Sequence, residues 1–172
     1  NLILLFLLPT AAVTSSARSI AHRVLLRCMR DDAYAERALH SELAKASDAK
    51  PAERALATKI VYGVMRSTRS LDYTLAQLTS ENFAKKTPDK TLCALRVGAY
   101  EILYLATPDF ASVSEAVSLA GSQKAQRSFA NGVLRNLARK RDADELPSPS
   151  GDAALSPLEA LAIETSTPEW LL

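Results

Sequence analysis

The chain has 172 residues, 48% of them hydrophobic and 23% charged, with a formal net charge of +2. That length suffices for one domain with a real core, and the composition is ordinary for a globular protein. A net charge this small does not by itself name a nucleic-acid partner, so any such argument rests on where the charges sit.

Glycine is scarce at 5 residues and aromatics make up 6%, while alanine and leucine abound, a balance that favours helix over strand. Cys28 and Cys93 lie among apolar residues, with no CxxC pair and no Cys/His cluster. They read as buried reduced thiols, not metal ligands. Residues 2–8 form an apolar run followed by Pro9 and a small, hydroxyl-rich stretch. The run is too short to span a bilayer. Residues 1–16 therefore read as a targeting segment whose basic start is missing, or as a gene-model artefact. The odd N-terminus tilts the expected compartment toward a plastid or other organelle over a bacterial-type cytoplasm.

At ~100° per residue, a first helix over 18–31 gathers Ile20, Ala21, Val24, Leu25, Cys28 and Met29 on one face. Arg23, Arg27 and Arg30 line the opposite face, with Arg18 at its start. A second helix over 33–46 carries Leu39 and Leu43 on its apolar side. Pro51 suits the first position of a third helix, 51–66, which buries Leu56, Ile60 and Val64. Gly63 inside it costs about 1 kcal/mol against alanine, which implies close packing against a neighbouring helix. Residues 67–70 read as a turn, with Ser70 capping a fourth helix over 71–78.

Thr87-Pro88 predicts a helix start, a hydroxyl cap and then proline. The helix over 89–106 is apolar nearly all round, which places it in the middle of a bundle. Within it, Arg96 shares a face with Leu92, Ala99, Tyr100 and Leu103. An arginine so placed needs a carboxylate, and Glu115 or Asp72 is the expected partner.

Ser112 and Glu115 have capping-box spacing and open a helix that ends near Gly121. The last long helix, 123–141, sets Phe129, Ala130, Val133, Leu134 and Leu137 on its apolar face. Lys124, Arg135 and Arg139 fall opposite, with Arg127, Lys140 and Arg141 near the ends. Some of the terminal charge simply suits the helix dipole. Asn131 reads as a cap or a bridge between helices. Residues 142–154 read as a linker, and Ser156-Pro157-Leu158-Glu159 repeats the capping-box pattern at the start of a short helix. Tyr62, Tyr73, Tyr100 and Tyr104 fall at core spacing. His22 and His40 stand alone, without a triad. The fold expected is an all-α bundle of about seven helices.

Four stretches in order carry a family resemblance: VYGVMR at 61–66 followed by Leu71-Asp72, ALRVGAYEILYL at 94–105, SVSEAVSLA at 112–120 and RSFANGVLRNLAR at 127–139. Together they resemble the NusB domain over residues 17–141. Such domains occur as free-standing transcription antitermination factors, which bind RNA with a ribosomal protein. They also occur as the N-terminal extension of the RsmB/Sun family of small-subunit rRNA cytosine methyltransferases. Residues 155–172, a short helix and then STPEWLL, resemble the junction to the methyltransferase part. That family often carries histidine or tyrosine-serine before the proline, where this chain has Ser166-Thr167.

The resemblance implies an RNA-binding module that docks small-subunit rRNA, with no membrane role in the mature domain. The whole protein would use S-adenosylmethionine to methylate carbon 5 of a cytosine. No glycine-rich loop for that cofactor is present in the sequence, and neither cysteine sits in the Pro-Cys or Thr-Cys context of the catalytic residues. No cofactor and no catalytic residue is assigned to this stretch. Arginine forks pair with phosphate oxygens, so the candidate RNA-binding residues are Arg18, Arg23, Arg27, Arg30, Lys124, Arg127, Arg135 and Arg139. A protein-interaction bundle without RNA is the remaining alternative. Replacing Arg96 with leucine should lower the melting temperature and leave RNA affinity unchanged. Lost RNA affinity at an unchanged melting temperature would contradict its core placement.

Overall fold

The computed structural model describes residues 16–80, 82–105 and 107–172. The apolar run at the start of the chain, and with it the targeting-segment reading, lies outside the described residues. The helices are α1 (Ala17–Asp31), α2 (Ala35–Lys45), α3 (Pro51–Arg66), α4 (Thr68–Gln77), α5 (Phe83–Lys86), α6 (Asp89–Tyr104), α7 (Asp109–Leu119), α8 (Lys124–Asp142) and α9 (Pro157–Glu164). No strand occurs among the described residues, so the all-α expectation holds.

α6 is the centre. Leu92, Cys93, Ala94, Leu95, Val97, Ala99, Tyr100 and Ile102 are all buried, and α1, α3, α4, α7 and α8 pack around it. Each large apolar side chain enclosed there contributes roughly 1.5–3 kcal/mol. Two helical glycines allow the close approach. A Cβ at Gly63 of α3 would overlap the Tyr100 ring, as the sequence implied. One at Gly98 of α6 would lie 2.7 Å from Leu134 Cδ1 and 2.9 Å from Ala116 Cβ.

Three polar residues of α6 are paired across the bundle. Arg96 donates Nε to Asp72 Oδ1 at 2.8 Å and Nη2 to Oδ2 at 2.7 Å, so the carboxylate comes from α4 and not from Glu115. Thr91 Oγ1 donates to Ala120 O at 2.6 Å, beside Gly121, whose φ of +138° terminates α7. Arg18 Nε donates to Glu101 Oε2 at 2.8 Å, with the glutamate wholly buried.

Several boundaries differ from the sequence reading. The turn expected at 67–70 shrinks to Ser67, because Thr68 Oγ1 bonds the Val64 carbonyl (2.8 Å) and the chain re-enters helix at once. Neither Ser70 nor Thr87 makes a side-chain cap, and α6 begins one residue after Pro88. α7 starts at Asp109, directly after Pro108, not at a Ser112 capping box. Pro108 O accepts from Ala111 N and Ser112 N, leaving Ser112 buried inside the helix. α5 was not expected. Phe129, Tyr62 and Tyr104 are substantially exposed, against the core placement their spacing implied.

Residues 142–154 were read as a linker, but the C-terminal stretch folds back on α4. Tyr73 Oη donates to Asp152 Oδ2 at 3.0 Å, Arg69 to Thr167 O at 2.9 Å, and Ser70 N to Ser166 Oγ at 3.2 Å. The capping box of α9 forms as expected, with Glu159 N on Ser156 Oγ and Ser156 N on Glu159 Oε2.

Gly63→Ala is expected to destabilise the chain by about 1–3 kcal/mol through overpacking against Tyr100. Urea denaturation measures this.

Candidate nucleic-acid interface

The candidate cations of α1 do not share one environment. Arg18 is turned inward: its side chain is 15% exposed and engages Glu101, whose side chain is 0% exposed. The fork therefore serves first to compensate a buried carboxylate, which unpaired would cost several kcal/mol. Arg23 and Arg27 lie further along the helix and stay about half-exposed. Both reach Glu42 of α2, Arg23 Nε at 2.8 Å and Arg27 Nη1 at 3.3 Å, and Lys45 Nζ joins them at 2.8 Å. Three cations thus share one carboxylate. Burial pushes the Glu42 carboxyl up, but hydrogen bonds from Lys45 and Arg23 outweigh it and hold the group below the usual carboxylate range. The cluster keeps an excess of positive charge facing solvent. Arg30 donates Nε to Asp89 Oδ2 at 2.9 Å, an exposed pair of little energetic weight.

α8 arranges its cations differently. Arg135 Nε donates to Asn131 Oδ1 at 3.0 Å and Arg139 Nη2 to Asn136 Oδ1 at 2.8 Å. Both partners are neutral amides, so neither charge is compensated within the helix face. Asn131 therefore orients an arginine one turn on; it does not bridge helices. Lys124 is exposed at the first position of α8. Arg127 turns back to the carbonyls of Gly121 (3.2 Å) and Ser122 (2.7 Å), closing the turn before the helix. Arg141 forks onto Asp109 at 2.8 and 2.7 Å and reaches the Ile102 carbonyl at 2.8 Å, joining three helix ends. Beside the N-terminal half of α8, exposed Phe129 and half-buried Gln126 line a groove with Phe83 and Lys86. The aromatic there was missed because its spacing fits a core position equally well.

His22 is buried on α1 with Nε2 2.9 Å from the Lys90 carbonyl. A carbonyl only accepts, so the ring proton sits on Nε2. Burial lowers its pKa below 6.5; the carbonyl contact opposes this, while Lys90, Arg23 and Arg30 add to the lowering. Among the described residues no group of histidine, cysteine, aspartate and glutamate is placed to hold a metal, and no helix is long and apolar enough to cross a membrane.

An all-helical domain built around one enclosed helix, with basic faces on its first and last long helices, is the class that fold and surface define. The model of the NusB family matches residues 15–139, and the chain belongs to that family. It is 35% identical over 161 residues to a probable ribosomal RNA small subunit methyltransferase B of Bacillus subtilis, covering 92% of this chain and 34% of that protein. A Synechocystis protein of the same description is 31% identical, with 91% of this chain and 34% of that protein covered. The chain thus spans about a third of the length of these relatives. It is also 33% identical to the transcription antitermination protein NusB of Pediococcus pentosaceus, over 46% of this chain and 62% of that protein. A chain in a structure titled "Crystal Structure of a Plectonemic RNA Supercoil" has the same fold, with a TM-score of 0.69, 19% identity, and coverage of 73% of this chain and 94% of that one.

A His22 held neutral in the fold binds fewer protons than the unfolded chain as pH falls through 6.5, so its contribution to stability is complete above that pH and is lost below it. The melting temperature should fall between about pH 7 and pH 5, and His22→Gln should flatten that slope.

Proposed function

We propose that this chain is the RNA-binding module of an S-adenosylmethionine-dependent small-subunit rRNA (cytosine-5) methyltransferase, and that it docks rRNA on the basic faces of α1 and α8. The observation that carries the reading is the uncompensated charge. Arg23, Arg27 and Lys45 share a single carboxylate, and Arg135 and Arg139 rest on amides alone. Guanidinium groups held this way present N–H donors to phosphate oxygens, and a polyanion supplies the missing negative charge. Binding of this kind is led by the phosphate backbone and is steeply salt-dependent.

The methyltransferase setting is favoured by extent. The Bacillus subtilis relative aligns with 92% of this chain, the Pediococcus pentosaceus antitermination protein with 46%. In that setting S-adenosylmethionine supplies the methyl group elsewhere in the protein, and this chain contributes docking. The second reading, an antitermination factor that binds RNA together with a ribosomal protein, predicts an RNA affinity that rises when that protein is added. The methyltransferase setting predicts methyl transfer to small-subunit rRNA by a protein that extends past Leu172.

Arg135→Glu with Arg139→Glu should weaken binding of a labelled small-subunit rRNA fragment. Each lost phosphate contact should flatten the log-affinity against log-salt slope by about 1. Fluorescence anisotropy from about 50 to 200 mM salt measures both. These positions lack carboxylate partners, so the melting temperature should hold. Unchanged affinity and slope would remove α8 from the interface.

A further inference from the structure

Three glycines sit inside long helices, and packing explains only two of them. Gly63 and Gly98 face a ring and side chains at close range, whereas a Cβ at Gly132, in the middle of α8, would meet nothing within 4 Å. A glycine in a helix interior weakens that helix, and at Gly132 nothing in the fold repays it. What it leaves is a bare stretch of backbone on the surface. It forms the floor of a shallow hollow edged by Arg135, Asn136 and Arg139.

The same two arginines edge a second hollow on their other side, a groove of about 650 Å³ between α7 and α8. Phe110, Val113, Val117 and Ala138 give it an apolar wall. Phe110 stands 79% exposed at the second position of α7, although a phenylalanine there gains nothing from water. Asp109 and Asp142 also border the groove, but both are held by Arg141 at 2.6–2.8 Å. The groove's own lining thus carries two arginines and two aspartates, and because Arg141, outside the lining, engages both aspartates, Arg135 and Arg139 remain without a carboxylate partner.

We propose that this double hollow is a single-stranded RNA subsite: the strand crosses α8 over Gly132, its phosphates engage Arg135 and Arg139, and one base leaves the strand to stack on Phe110. This rests on the RNA-binding reading above and specifies which form of RNA the α8 face takes. An occupant must be anionic beside the arginines, flat and apolar-faced beside Phe110, and close to the backbone at Gly132. A nucleotide meets all three requirements. The arginines are one turn apart, about 6 Å along the axis, a spacing suited to successive phosphates of an extended strand. A duplex keeps its bases stacked inside and cannot fill the groove.

The test uses the 172-residue chain, a short single-stranded oligoadenylate and a short RNA duplex, read by fluorescence anisotropy beside melting temperature. Phe110→Ala should weaken oligoadenylate binding about tenfold, leave duplex binding and melting temperature unchanged, and be rescued by Phe110→Trp. Gly132→Ala should raise the melting temperature by a few degrees, as expected for glycine replaced in an exposed helix, and still weaken oligoadenylate binding. If both variants bind the single strand as the parent does while Arg135→Glu with Arg139→Glu does not, the subsite is wrong and the RNA-binding reading survives. If the parent binds neither RNA at low salt, both fall. If an acidic amphipathic peptide binds the parent but not Phe110→Ala, with oligoadenylate affinity unchanged, the groove belongs to a protein.

Discussion

α6 has almost no side on which water is tolerated, and the rest of the bundle follows from that. An enclosed helix needs apolar stripes from several directions at once, which α1, α3, α4, α7 and α8 supply. Apolar packing alone leaves rotation and sliding only weakly specified. Three polar side chains of α6 remove that freedom. Thr91 fixes the end of α7, Arg96 fixes α4 through Asp72, and Glu101 fixes α1 through Arg18. Each would be costly to bury unpaired, so each restricts its neighbour to a narrow register. Because Glu101 sets the roll of α1, it also decides that Arg23 and Arg27 face α2 and solvent.

The arginines divide according to this geometry. Arg18, Arg96 and Arg141 are taken up in joining helices, with forks or close bonds to carboxylates. Arg23 and Arg27 share a carboxylate, and Arg135 and Arg139 have none. Sequence spacing set Arg96 apart, but it counted Arg18 with Arg23, Arg27, Arg135 and Arg139 as equal charges. The fold ranks them by how much of their electrostatic demand is met internally, and the proposed RNA surface is what remains after that ranking.

The helices were readable because their signals are local: period, proline at the first turn, glycine at the end. The capping box of α9 and the close approach at Gly63 were read correctly for that reason. Where two local signals competed, the prediction slipped. Pro108 fixed the start of α7 before the Ser112 spacing could act, and Thr68 re-formed the helix inside an expected turn. Pairings distant in sequence were the hard part. Arg96 clearly needed a carboxylate, yet nothing local favoured Asp72 over Glu115. Glu42 as a shared partner and the return of the C-terminal stretch to α4 depend on tertiary contacts with no periodic trace. Tyr62, Tyr104 and Phe129 fit core spacing but lie at the margin, where a helical face turns outward.

The Glu42 cluster bears on the thermodynamics of association as well as on charge. A free arginine or lysine side chain loses about 2 kcal/mol of rotameric freedom when it is fixed in one geometry. Arg23, Arg27 and Lys45 are already drawn toward Glu42 in the folded chain. Much of that loss is therefore incurred during folding and need not be incurred again when an anion arrives. A single buried glutamate thus acts as a splint, converting three flexible cations into a preorganised array.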